Sequence, residues 1–458
     1  MILQSGWQGL TLALPGSGTS VDQVVFLTAI RQLCKKGECA RPRNLQPPSP
    51  GLSKYLCKYN IFFFEKNTHF ALRILRNFVI FNCMSDSFNP FFIYGYGGSK
   101  YFCDREQETE QLISSLKNGR NITLLSPRRM GKTGLVLRVF DEIKKRDKTA
   151  ACFYVDIFPT RSLENFVVFL GKAILGTLDG LGKKALNAAV AAFKSCKLSV
   201  SVDPVTGLPQ SGLEFQPKDA KNTLQEIFDY LKNADRECFV AIDEFQQIAE
   251  YEDDNVEALL RSYIQFCPNV HFIFSGSKHH LMSEMFSSVE HPFYRSTEMF
   301  HLYAIDENAY YEFANGWMKK AKISLPKDVF HDLYERLEGH TWYMQAVLNR
   351  LYEMAPKKVC QDDVNMCVTK IMMSETDIYQ RMQNLLTSNQ NALLIAIANE
   401  GCVSAINSGD FVRKSGLKTA SSVNRALEYL LDKEYVMQTS KGYIVYDKFF
   451  ALWLKGLM

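Results

Sequence analysis

From about residue 104 onward the chain alternates apolar runs of strand length with stretches of helical period. The runs Asn121–Leu125, Ala151–Ile157, Glu237–Glu244, Val270–Gly276 and Glu298–Leu302 are close to continuously apolar. Such runs predict strands buried on both faces, and the helical stretches between them predict the cover: a parallel α/β sheet with helices on each side. The helices are expected over Asp104–Leu116, with a cap and an acidic first turn, then from the segment after Gly131 to about Arg146, over 162–178 and over about 218–234. Residues 179–217 break the alternation. Lys197–Asp203 alternates like a strand, Pro204–Pro209 has turn chemistry and Gly212–Phe215 returns, so an inserted hairpin is expected at about 195–216. Residues 306–382 read as helical throughout, with breaks at Pro326, Gly339 and Pro356. Beyond 386 the pattern gives three short helices, Asn391–Ala398, Ser408–Lys414 and Val423–Leu431. A two-stranded ribbon, Tyr435–Gln438 and Tyr443–Tyr446, closes the chain in winged helix–turn–helix order.

The first 83 residues fit none of this. They hold the Pro/Gly-rich stretch Pro42–Gly51, an aromatic bunch at Tyr59–Phe64 and no sustained period. They read as an atypical extension, with Met84 as an alternative start of the product. The expected division is 1–83 extension, 84–305 sheet domain, 306–384 helical lid and 385–458 winged helix. Charge sharpens the contrast. Ten basic and three acidic residues give the first 83 positions +7, so the remaining chain carries −3 of the total +4. The body therefore offers no general electrostatic attraction for nucleic acid. Twelve scattered cysteines without a CxxC pair point to a reducing, cytoplasmic setting. No apolar run reaches the ~18 residues that a membrane span requires.

The chemistry lies between the first strand and its helix. Ser126-Pro127-Arg128-Arg129-Met130-Gly131-Lys132-Thr133 has the order of a phosphate-binding loop, with Ser126 where the pattern wants glycine. Gly131 and Gly134 let backbone approach closely, Lys132 reaches the β- and γ-phosphates, and the Thr133 hydroxyl suits Mg²⁺. The free N–H groups at the helix start favour an anion. About 110 residues on, Phe239–Glu244 ends a strand in two carboxylates. Asp243 is the metal-side residue and Glu244 the one that polarises water; the alternative is a pair of acids opening a helix. Ser275, ending the fourth strand, is placed to sense the γ-phosphate, or else the Ser275–Ser277 segment caps the next helix. Arg295, just before the fifth strand, would project a cation into a neighbour's site in a homo-oligomer, or is a solvated or ion-paired arginine.

The ordered set Phe102–Glu106, Pro127–Thr133, Ile242–Glu244, Phe274–Ser277 and Gly339–Gln345 resembles the archaeal-type ATPase family. That family belongs with the signal-transduction ATPases with numerous domains, relatives of the AAA+ proteins. The resemblance covers nearly all of the chain after Met84. It implies an ASCE-type P-loop core, ATP and Mg²⁺ as ligands, a helical lid that follows nucleotide state, and Arg105 near the adenine. Where relatives often carry Gly-x-Pro near the lid, this chain has Thr341, flanked by Gly339 and Tyr343 as residues that line the site.

The tail is a reader domain with eight basic and six acidic residues over 387–458. Lys418, Ser421, Ser422 and Arg425 open the recognition helix, and Lys441 sits in the wing. They touch DNA, or the module binds a protein. The expected function is an ATP-hydrolysing molecular switch. The alternatives are an ATP-regulated DNA-binding regulator with little turnover and a protein-interaction scaffold.

Overall fold

The protein is described by a computed structural model over residues 88–178, 192–202, 209–217, 219–253 and 255–456. The expectations for residues 1–83 and for the turn at 203–208 lie outside the described residues. Five strands, β1 (Ile122–Leu125), β2 (Ala151–Asp156), β5 (Cys238–Asp243), β6 (Val270–Gly276) and β7 (Glu298–His301), form one sheet in the order β2-β5-β6-β1-β7. Every pairing in it is parallel. The strand that feeds the phosphate loop is thus separated from the carboxylate strand by β6, whose end reaches between them.

Side-chain alternation gives the sheet two separate cores. Val240, Ile242, Phe272 and Phe274 point to one face, against α3 (Leu163–Leu178), α4 (Ala220–Lys232) and α5 (Val256–Ile264). Phe239, Ala241 and Ile273 point to the other, against α1 (Glu106–Lys117) and α2 (Lys132–Arg146). β3 (Cys196–Val202) and β4 (Pro209–Pro217) pair antiparallel as a separate ribbon. α6 (His279–Ser287) links β6 to β7.

Four helices follow: α7 (Glu307–Lys320), α8 (Lys327–Leu337), α9 (Thr341–Met354) and α10 (Gln361–Asn384). They lead into α11 (Ser388–Glu400), α12 (Gly409–Lys414), α13 (Ala420–Asp432), the ribbon β8 (Val436–Thr439) and β9 (Gly442–Val445), and α14 (Lys448–Lys455). Lid and tail do not have a core each. Leu333, Val347 and Val368 of the lid belong to the same buried apolar cluster as Ile397, Leu430 and Phe450 of the tail. Tyr379 of α10 lies on Phe450 and Trp453 with ring centroids 5.0 and 5.6 Å apart. Among the described residues no helix is long and apolar enough to cross a membrane.

Three local expectations are corrected. Asp104 does not cap α1: both Asp104 and Arg105 have left-handed backbone (φ 54° and 73°), and the helix begins at Glu106 without a side-chain cap. A side-chain cap needs an extended residue at that place. The recognition helix starts at Ala420, because the Thr419 hydroxyl accepts the Ser422 N–H; Ser421 and Ser422 therefore lie in its first turn. The helix α14 was not expected. Asp447 caps it through the Phe450 N–H, and Phe449, Phe450 and Leu454 bury its inner face.

Candidate nucleotide site

The loop 126–131 leaves β1 at the C-terminal edge of the sheet and turns into α2 at Gly131, whose φ of 93° is a conformation that glycine adopts without strain. Gly134, one turn into α2, lies under the Phe102 ring, where a Cβ would come within 2.9 Å. Lys132 folds back over the loop. It is 6% exposed, and its Nζ donates to the carbonyls of Ser126 (3.1 Å) and Pro127 (3.3 Å). No carboxylate among the described residues forms an ion pair with it, and burial depresses its pKa against the opposing pull of Asp243 and Glu244. A buried ammonium held only by carbonyls is under-compensated and suits an added anion.

Thr133, Asp243 and Ser275 converge. The Thr133 hydroxyl donates to Asp243 Oδ2 (2.8 Å) and the Ser275 hydroxyl to Asp243 Oδ1 (2.5 Å). Ser275 is thus turned to the carboxylate, and the cap position before α6 is Lys278, without a side-chain bond. A third donor has no counterpart in the motif. Tyr154, on β2, gives its hydroxyl to Asp243 Oδ2 at 2.7 Å, and burial with the facing carboxylate raises its pKa. The parallel register of β2 and β5 sets Tyr154 opposite Ala241, two residues before Asp243. Thr133 and Asp243 together form a pair of hard oxygen donors within one hydrogen bond of each other, which fits Mg²⁺.

Glu244 follows with left-handed backbone (φ 57°). Its Oε2 accepts from Gln246 Nε2 (2.5 Å) and from the Ser277 hydroxyl (2.9 Å). Gln246 is 2% exposed and rests on Gly276, where any Cβ would meet its amide oxygen at 2.2 Å. The sequence motif contains Ser277 but gives no sign of Gln246.

The lid and tail reach the loop from the other side. Met130, buried, presents its carbonyl to the Thr341 hydroxyl (3.3 Å), and the Arg129 carbonyl accepts the Trp342 N–H (3.1 Å). The Arg129 guanidinium lies 4.1 Å over the Trp342 ring and 3.7 Å from Asp447. Arg128 donates its backbone N–H to the Tyr446 hydroxyl (2.7 Å) and its side chain to Glu434 (3.1 Å). Tyr343, expected to line the site, instead packs edge-on against Phe449 of the tail.

Two expected residues stay outside this cluster. Arg105 is buried, with its guanidinium on Glu108 (2.6 Å) and the Tyr303 carbonyl, beside a cavity of about 390 Å³ whose lining contains no loop residue. Arg295 is exposed, with φ 50°, and its guanidinium lies over its own neighbour Tyr294.

The model of a family described as an ATPase domain predominantly from Archaea matches residues 102–347, and that of a probable winged helix domain matches residues 377–456. No curated protein matches the chain. Among solved structures, the Walker-type ATPase PABY2304 of Pyrococcus abyssi aligns over 80% of this chain and 99% of its own, with 18% identity and a TM-score of 0.57. The ORC2 protein of Aeropyrum pernix, in ADPNP and ADP complexes, aligns over 81% and 98%, with 14% identity and a TM-score of 0.47. The ORC1 protein of the same organism, in complex with DNA, aligns over 77% and 92%, with 14% identity and a TM-score of 0.43. The first of these likenesses is one of fold.

Proposed function

The chain belongs to the family of ATPase domains found predominantly in Archaea, and from that premise we propose that it is a nucleotide-dependent molecular switch that binds ATP with Mg²⁺ and hydrolyses it slowly. The observation that carries this reading is Lys132, a buried ammonium with carbonyls for partners and no carboxylate bound to it. The β- and γ-phosphates of ATP would supply the missing anion. Backbone N–H groups of the loop from Arg128 to Gly134 would cradle them. Thr133 and Asp243 would hold Mg²⁺, which when bound neutralises charge on the phosphates. Glu244 keeps one carboxylate oxygen without a hydrogen-bond partner among the described residues and would use it to orient and deprotonate the attacking water. Arg295, exposed and outside the cluster, would serve the reaction only by reaching into the site of a second copy.

Lys132→Ala should abolish ATP binding, measured by equilibrium titration with a fluorescent ATP analogue. Glu244→Gln should keep ATP and lose hydrolysis. Undiminished turnover in either variant rejects the assignment.

A second reading, an ATP-regulated DNA-binding regulator, is favoured by the free face of the tail. Lys418, Ser421, Arg425 and Lys441 are all exposed along the start of α13 and the ribbon tip. Gel shifts on duplex DNA should weaken steeply with salt if these residues meet phosphates. Arg425→Ala and Lys441→Ala should then weaken binding without touching turnover. A tail that shifts no DNA and captures a protein would favour a scaffold instead.

A further inference from the structure

The lone pairs of Asp243 are all engaged. An ionised carboxyl group has about four acceptor positions, two on each oxygen. On Oδ1 they hold the Ser275 hydroxyl at 2.5 Å and the Glu244 N–H at 3.0 Å. On Oδ2 they hold the Thr133 hydroxyl at 2.8 Å and the Tyr154 hydroxyl at 2.7 Å. These four donors are not alike. The Glu244 N–H belongs to the main chain. Thr133 is exposed, so its hydroxyl can keep its one hydrogen on Oδ2 and turn its lone pairs outward. Thr133 thereby marks Oδ2 as the carboxylate oxygen on the metal's side, and the other donor on that oxygen is Tyr154.

Mg²⁺ keeps several of its waters in protein sites. A metal-bound water is a hydrogen-bond donor, and a carboxylate receives it only through a lone pair that no other donor holds. Oδ2 has none while Tyr154 is on it.

We propose that Tyr154 is a positioning residue that occupies the metal-side lone pair of Asp243, so that Mg²⁺ loads onto this site only as the phenol lets go. The proposal rests on the reading that Thr133 and Asp243 hold Mg²⁺ with ATP. A donor beside a metal carboxylate ordinarily orients it, and its loss weakens metal binding by about 10–100-fold. Asp243 does not depend on Tyr154 for its orientation. Ser275 and the Glu244 N–H fix its far oxygen, and Thr133 fixes the near one. Tyr154 reaches it from β2, the edge strand of the sheet, at the register position of Ala241. Its ring packs on the margin of the apolar core beside α1 and α2 and is not fully buried. A phenol so placed can yield Oδ2 to a water without uncovering that core. The hydroxyl thus lowers the site's affinity for Mg²⁺ below what the same carboxylate would have without it.

The test uses the purified full chain with a fluorescent ATP analogue, first in EDTA and then with added MgCl₂. It reads the free Mg²⁺ concentration at which the metal's effect on analogue binding is half complete. Tyr154→Phe removes the hydroxyl and keeps the ring. It should lower that concentration about tenfold, the scale of one hydrogen bond to a charged group. Affinity for the analogue in EDTA should stay as it was. Tyrosine difference absorbance gives a second readout. The wild type with the analogue should show a change on addition of Mg²⁺ that Tyr154→Phe lacks, and a change that persists in full in the variant overturns the proposal. So does a half-point that is unchanged or raised in Tyr154→Phe; a rise is the mark of a residue that only orients Asp243. Thr133→Ala separates the two levels. If it abolishes the Mg²⁺ response while Tyr154→Phe leaves the half-point where it was, the phenol's role fails and the metal reading stands. If Thr133→Ala keeps the full Mg²⁺ response, both fall together.

Discussion

The sheet body and the lid–tail body solve the problem of burial differently. The sheet has two apolar cores, one on each face, and collects its polar side chains at one edge of the strands. Lid and tail share a single core across what the sequence divides into two domains. Where the lid and tail meet the phosphate loop, the contacts are polar: Arg128 with Glu434 and Tyr446, Arg129 with Asp447, Met130 with Thr341. Phe91, Cys103 and Ile305, from segments flanking the sheet, enter the lid–tail core and make the apolar join. Apolar burial holds strongly and without direction, whereas half-exposed polar pairs hold weakly and break singly. The weaker seam therefore runs between loop and tail, and lid and tail pack as one body.

The largest test of that contrast is Phe450→Ala. Phe450 is 1% exposed and stacks with Tyr379 and Trp453. Truncating such a ring costs about 3–5 kcal/mol. Hydrogen exchange should show α9 and α10 losing protection together with the tail while β5 and β6 keep theirs. A loss confined to the tail would separate lid from tail and break the comparison.

The seam itself is sensitive to acid at His340. Burial, with Lys448 and Arg129 adding like charge, pushes its pKa down from 6.5 to about 3, and its Nδ1 has no hydrogen-bond partner. The unfolded chain binds a proton below 6.5 that the folded chain refuses. Stability contributed by this residue is thus complete above 6.5 and falls by about 1.4 kcal/mol for each pH unit as pH drops from there toward 3. Thermal melts at pH 7 and pH 5 should show this slope in the wild type, and His340→Gln should flatten it. An equal slope in both would place the acid sensitivity elsewhere.

The smallest effect is expected inside the sheet. Tyr154→Phe removes one of three hydroxyl donors from the buried Asp243 and should lower stability by about 1–2 kcal/mol. Urea unfolding would measure it. Exchange in the lid and tail should stay as it was, and a change there would show that the two bodies are coupled beyond the seam.

Much of this was legible in the chain. The apolar runs marked all five sheet strands; β1, β5 and β6 are buried throughout, as a strand covered on both faces must be, whereas β7, at the edge of the sheet, buries none of its four residues fully and corrects the expectation of burial on both faces there. The loop and the Asp243–Glu244 pair stood out as the residue types that phosphate and metal chemistry would need at strand ends, and the fold brings Thr133 of the loop within 2.8 Å of Asp243. Tyr154 was hidden: its approach to Asp243 exists only through the register of β2 on β5, which no local pattern encodes. Tyr446 meets Arg128 across 318 positions, so only the folded lid and tail bring them together. The helix α14 escaped notice because eight residues rich in aromatics after a ribbon carry too little periodicity to separate helix from strand. Asp104 misled because its cap chemistry was right and its backbone was not.

Glu244 occupies backbone that glycine or asparagine would accept with less strain, at a cost of about 1–2 kcal/mol for a residue with a Cβ. On the role proposed for Glu244, heat resistance and turnover pull this position in opposite directions. A population of variants selected for survival at high temperature alone should drift toward glycine or asparagine at 244 and grow hardier as it falls silent. Selection that also demands hydrolysis should hold glutamate there and find its stabilising changes elsewhere.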